Sequence, residues 1–301
     1  MSRWLKWILI FLGSLGGLLA ISLAVVLASG RSRFNRTYDI VVAAPQIPTD
    51  EAALARGEHL VNAVAHCAYC HGDGLKGDFV ENDPATIGVV VAPNLTSGDG
   101  GVGAAFHAED WVRALRHGVN PEGRSLFVMP SFMFNRMSEE DLAATIAYLQ
   151  TIEPVDNMLP ETELGPMAYA LLTAGPLLEG MAATRIDHQA PFSAAPAEGE
   201  TADYGAYLAE IAQCSGCHGD ELAGGRACQD CPYGPNLTQG GELQGWTKDD
   251  FITALRTGMH PNGRQLSDSM PWRYFSNMTD TELGALWSFL NNQTARPSVL
   301  P

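Results

Sequence analysis

Cys67-Ala-Tyr-Cys70-His71 and Cys214-Ser-Gly-Cys217-His218 are two copies of one pattern, C-x-x-C-H, and the rest of the chain reads outward from them. In this pattern two sulfurs form thioethers to a haem, and the adjacent histidine supplies an axial iron ligand. One copy could be chance or half of a zinc site. Two copies, each followed by matching sequence, point to two covalent haems c.

The matching sequence is extensive. Residues 57–150 contain GEHLVNAVAHCAYCHGDGL, APNLT, FHAEDWVRALRHGVNPEGRSL and FVMPSFMFNRMSEEDLAATIAYLQ; residues 205–291 repeat these blocks in the same order. One unit of about 100 residues is used twice. Each copy predicts a short helix entering the motif, a Gly- and Pro-rich loop, a middle helix over residues 110–117 or 249–257, and a last helix. Ser138-Glu-Glu-Asp141 and Thr279-Asp-Thr-Glu282 are capping-box patterns that open the two last helices.

Duplication narrows the sixth iron ligands, because an inherited ligand recurs at the same place. Apart from His71 and His218, no histidine aligns with a histidine. Met129 aligns with Met270, and Met137 with Met278. Met129-Pro130 and Met270-Pro271 fall in loops able to bring a thioether to the open haem face, whereas Met137 and Met278 precede helix N-caps and read as core. Arg116/Arg256 and Arg124/Arg264 also pair, as candidate propionate clamps or as surface ion pairs. Phe106 aligns with Trp246 and Trp111 with Phe251, aromatic bulk for a pocket wall and core. Cys228-Gln-Asp-Cys231 has no counterpart in the first unit and lacks a following histidine. It reads as a local disulfide, with a redox-active pair as the alternative.

Residues 7–28 are 22 positions without a charge, preceded by Arg3 and Lys6, long enough to cross a bilayer as a helix. A cleaved signal peptide is the other reading, although such apolar cores are usually shorter. Beyond residue 29 the chain holds 16 basic and 34 acidic side chains. That charge repels nucleic acid and favours a redox partner with a basic docking face, with simple solubility as the other reading. The resulting division is a membrane anchor with its flank over 1–36, a first unit over 50–152, a Pro-rich connector over 153–198 and a second unit over 199–301.

Helix, haem motif, loop, helix, methionine and final helix together resemble the class I cytochrome c fold. The resemblance implies an all-α architecture of two tandem domains behind one N-terminal transmembrane helix. It also supports Met129 and Met270 as ligands, and implies that the carbonyls of Pro93 and Pro235, in the repeated Pro-Asn-Leu-Thr segments, orient His71 and His218. Haem attachment in c-type cytochromes takes place outside the cytoplasm, so the body is expected on the periplasmic face of a bacterial cytoplasmic membrane. The Pro-Asn-Leu-Thr and Met-Pro pairs are also similar to cytochrome subunits of membrane-bound periplasmic dehydrogenases, which usually carry three haem motifs where this chain has two. Electron transfer between a respiratory or dehydrogenase donor and a periplasmic cytochrome, copper protein or oxidase is then implied, alone or inside a larger complex. The competing reading is a dihaem peroxidase with one exchangeable haem site.

Overall fold

The computed structural model describes residues 2–175, 177–226 and 231–299. Helix α1 (Arg3–Phe34) is long, apolar and unburied over its hydrophobic window. The first unit follows as α2 (Glu51–His59), a π-helical turn over Leu60–Val64, α3 (Ala68–His71), α4 (Ala108–His117), α5 (Ser131–Phe134) and α6 (Glu139–Leu149). The connector carries α7 (Pro166–Ala174), and the second unit repeats the first as α8 (Ala202–Ile211), α9 (Cys214–His218), α10 (Lys248–Thr257), α11 (Trp272–Phe275) and α12 (Asp280–Asn291).

Each unit is held by one close helix crossing with a glycine at its centre. A Cβ on Gly57 would lie 2.0 Å from Ala144 O, and one on Gly205 would lie 2.0 Å from Ala285 O. Only glycine lets α2 meet α6, and α8 meet α12, at that separation. The faces so joined bury Leu60, Leu142 and Ile146 in the first unit and Leu208, Leu283 and Leu286 in the second. These side chains belong to one continuous core that runs through both units.

The expectation of an all-α chain needs correction. β1 (Asp78–Asp83) and β2 (Gly88–Ala92) form an antiparallel hairpin, and β3 (Glu163–Leu164) from the connector adds to β2. A Gly- and Pro-rich loop is expected after the first motif, but Gly88-Val-Val-Val-Ala92 within it is a β-branched run that buries alternate residues, as a half-covered strand does. Acidic β1 is the exposed edge.

The connector is bound to the body of the protein. It wraps the first unit: Thr162 Oγ1 accepts from Val91 N–H, Phe127 pairs with Met181, and Ala183 N–H donates to Ser125. Pro166 at the first turn starts α7. A Cβ on Gly30 would stand 1.9 Å from Tyr169 O, so α1 and α7 cross almost in backbone contact. Cys231 is disulfide-bonded, and Cys228 lies outside the described residues.

Candidate haem-binding sites

The two C-x-x-C-H segments adopt the same local structure. His66 and Gln213, immediately before each first cysteine, both take left-handed backbone angles (φ 41° and 61°) that turn the chain into the motif. Leu75 and Leu222, four residues after each motif histidine, do so too (φ 57° and 56°), although leucine pays for that conformation. Both are fastened by a backbone bond from the Pro-Asn-Leu-Thr segment: Leu95 N–H to Leu75 O and Leu237 N–H to Leu222 O, each 2.8 Å.

His71 and His218 are buried. His71 Nδ1 lies 2.8 Å from Pro93 O, and His218 Nδ1 lies 2.7 Å from Pro235 O. A carbonyl only accepts, so each Nδ1 carries the proton and each Nε2 presents a lone pair. Nε2 of either ring has no hydrogen-bond partner among the described residues. Burial lowers the pKa of both rings, against the opposing pull of the proline carbonyls, which favours the neutral form a metal requires. Cys67, Cys70, Cys214 and Cys217 are free thiols beside these rings. The donor set of each unit, two thiols and one oriented neutral imidazole, fits covalent haem.

The methionine pairs separate by environment. Met137 and Met278 are 1% exposed and enclosed by core side chains. Met129 and Met270 are half-buried at the edge of the same core, in the group that includes Cys67 and Cys214. Arg116 and Arg256 donate to Asn135 O and Ser276 O, tying α4 and α10 to the chain after α5 and α11, and Arg256 also forms a surface ion pair with Asp280 at 2.7 Å. Arg264 pairs with Glu242, which also stands 2.7 Å from His260 Nε2. Glu242 and His260 line an open depression of about 540 Å³ together with Pro235, Asn236 and Trp246.

Sequence reading missed the role of the asparagine in each Pro-Asn-Leu-Thr. Asn94 Nδ2 donates to Val155 O at 2.7 Å and its Oδ1 accepts from Thr96 N–H; Asn236 does the same with Arg296 O and Thr238 N–H. Each asparagine thus clamps the chain leaving the last helix to the segment whose proline holds the histidine. The repetition of Asn at both places was the available signal.

The units pack reciprocally through their attachment segments. His66 meets the Phe275 ring edge-on at 5.2 Å, and Tyr69 meets Tyr274 at 6.4 Å, so the first motif rests on α11. Ser215 Oγ lies 3.7 Å from Met133 Sδ, so the second motif rests on α5.

The family described as "Cytochrome C oxidase, cbb3-type, subunit III" matches residues 52–149 and again residues 200–290. The chain belongs to this cytochrome c family. Haem c and electron transfer come with that membership. Similar proteins include the fructose dehydrogenase cytochrome subunit of Gluconobacter japonicus, 27% identical over 85% of this chain and 56% of that protein. The alcohol dehydrogenase (quinone) cytochrome c subunit of Gluconacetobacter polyoxogenes is 30% identical over 82% of this chain and 57% of its own length. The gluconate 2-dehydrogenase cytochrome c subunit of Pantoea cypripedii is 28% identical over 69% and 52%. This cytochrome c chain therefore spans about half the length of each of these relatives.

Proposed function

We propose that the chain is a membrane-anchored electron carrier holding two haems c. The observation that carries this reading is the duplicated donor set: a buried imidazole fixed by a proline carbonyl, its Nε2 open, beside two free thiols. Bound haem iron supplies reversible one-electron chemistry. Cys67 and Cys70 would tether one group and Cys214 and Cys217 the other; His71 with Met129, and His218 with Met270, would supply the axial atoms. Thioether sulfur favours ferrous iron and raises the reduction potential.

Reciprocal packing of α3 on α11 and of α9 on α5 places the two attachment segments on one interface, which supports direct transfer between the units. The units correspond to residues 50–152 and 199–301, the anchor with its flank to residues 1–36, and the connector to residues 153–198. Anchor retention is supported by the way the end of α1 is built into the fold, with Arg33 donating to Leu172 O and Thr173 donating to Val26 O. The haem units would stand on the outer face of the cytoplasmic membrane. Likeness to dehydrogenase cytochrome subunits supports a dehydrogenase complex as donor. The acidic body suits a basic docking face on a soluble acceptor.

The test is the optical spectrum of the dithionite-reduced protein before and after carbon monoxide. An unchanged spectrum is the expected result, with both irons keeping strong sixth ligands. A rapid shift at one haem would overturn the symmetric Met129/Met270 assignment and favour a peroxidase-type site.

A further inference from the structure

Residues 164–178, Leu-Gly-Pro-Met-Ala-Tyr-Ala-Leu-Leu-Thr-Ala-Gly-Pro-Leu-Leu, carry no Asp, Glu, Lys, Arg or His in a body that is otherwise strongly acidic. Within this stretch α7 buries Ala168 and Leu172 in a small second core, while Met167 is left 50% exposed. Such a helix on a soluble surface wastes apolar area. Its position on α1 shows what the exposed side meets.

The uncharged run of α1 over residues 7–28 is about 33 Å long at ~1.5 Å per residue, the thickness of a bilayer core. The contacts of α7 fall at the end of that run and just past it: Thr173 Oγ1 donates to Val26 O at 2.7 Å, Tyr169 meets Gly30, and Phe34 packs on the Tyr169 ring at 6.3 Å. If α1 spans the membrane, α7 sits at the outer boundary between acyl chains and headgroups.

The backbone of α7 is prepared for that medium. A helix end in lipid cannot leave polar groups to water. Pro166 removes one N–H at the first turn, and Met167 N–H donates to Thr86 O. At the other end Arg33 Nη1 donates to Leu172 O at 2.7 Å and to Thr173 O at 3.0 Å, and Gly175 N–H donates to Leu171 O. Arg33 is thereby positioned to keep its charge at headgroup level while closing a helix end. Tyr169 supplies an aromatic with a polar tip, a residue type enriched at this depth.

We propose that α7 is a second membrane contact, an interfacial helix that lies in the outer leaflet beside α1 and fixes the orientation of the haem units over the bilayer. The occupant of its exposed face is lipid. This inference rests on reading α1 as a membrane span, and the test separates the two.

Full-length holoprotein carrying p-benzoylphenylalanine in place of Met167, Leu23 or Met158 would be reconstituted in phosphatidylethanolamine–phosphatidylglycerol vesicles and irradiated, with the haem spectrum checked for each variant. Leu23 reports on α1, and Met158, 77% exposed on the connector, is the aqueous control. Lipid adducts by mass spectrometry at positions 23 and 167, and none at 158, are the expected result. An adduct at 23 without one at 167, or an adduct at 167 with a second copy of the chain, overturns the interfacial role of α7 and leaves the anchor standing. No adduct at 23 overturns the span and this inference together.

Discussion

Tyr207 donates its hydroxyl proton to Asp141 Oδ2 across the boundary between the two units, at 2.7 Å. The same hydroxyl accepts from Ser138 N–H at 3.0 Å, so it stands between the N-cap of α6 and the carboxylate that would complete its capping box. In α12 the corresponding Glu282, one methylene longer, reaches Thr279 N–H directly at 2.8 Å. It is met instead by His59, at the position equivalent to Tyr207, at 2.7 Å. Arg56 bonds both carboxylates. Each unit thus completes the last helix of the other.

Replacing Tyr207 with Phe removes this bridge and leaves Ser138 N–H without its acceptor, while Asp141 Oδ2 keeps Arg56 Nη2 as a donor. A loss of about 1–3 kcal/mol is expected. Chemical denaturation of the holoprotein should show it, and an unchanged midpoint would mean that water substitutes for the hydroxyl.

Acid should loosen the same boundary through Glu282. Burial pushes its carboxyl up, but hydrogen bonds from His59 and Thr279 N–H and the charges of His59 and Arg56 outweigh burial, holding it below the ordinary 4.5. A carboxylate depressed in the folded state stabilises fully above its unfolded pKa, and that contribution is lost as pH falls through the folded value. Thermal melts should therefore show an acid limb beginning below about pH 4.5. The variant E282Q should start less stable at pH 7 and show a shallower limb.

The asparagine clamps should act on one haem each. Asn94→Ala removes the acceptor of the buried Thr96 N–H, at about 1–3 kcal/mol, leaves Val155 O with Thr96 Oγ1 alone, and loosens the segment whose carbonyl lies against His71. Potentiometric titration should then move one haem potential and leave the other in place. Asn236→Ala should move the other one.

Gly205→Ala would drive a Cβ to 2.0 Å from Ala285 O and part α8 from α12. Overpacking of this kind costs about 3 kcal/mol. Holoprotein yield and melting temperature should fall sharply, and more than for an alanine at Gly199, whose Cβ would come no nearer than 3.8 Å to another atom, Thr201 Cγ2.

The residues proposed to hold haem can be picked out from sequence because each is local and written twice. The thiol pairs, the histidines and the aligned methionines each occupy one short stretch, and the Thr279–Glu282 capping box needs only four residues. Contacts between distant stretches were not legible. Nothing near Tyr207 announces Asp141, 66 residues away, and β2 became a strand partly because the connector brought β3 to its edge. Helix α4 begins at Ala108, two residues before the expected start, because His107 occupies the cap and Asp110 returns to His107 N–H; histidine is not a residue that signals a helix start.

Phe34, in the last turn of α1, packs edge-on against Phe127 at 6.0 Å, and Phe127 lies two residues before Met129. Phe127 is also bridged to Met181, so anchor, connector and methionine loop share one small core. A helix adjusts its tilt to the thickness of the lipid around it. If α1 spans a bilayer, such an adjustment would reach the loop of the first unit through the Phe34–Phe127 contact, while among the described residues no aromatic of α1 meets the loop at Met270. On the proposed reading of α1 as a span and of Met129 and Met270 as iron ligands, bilayer thickness would be a mechanical input to one electron site and would leave the other as an unloaded reference within the same chain.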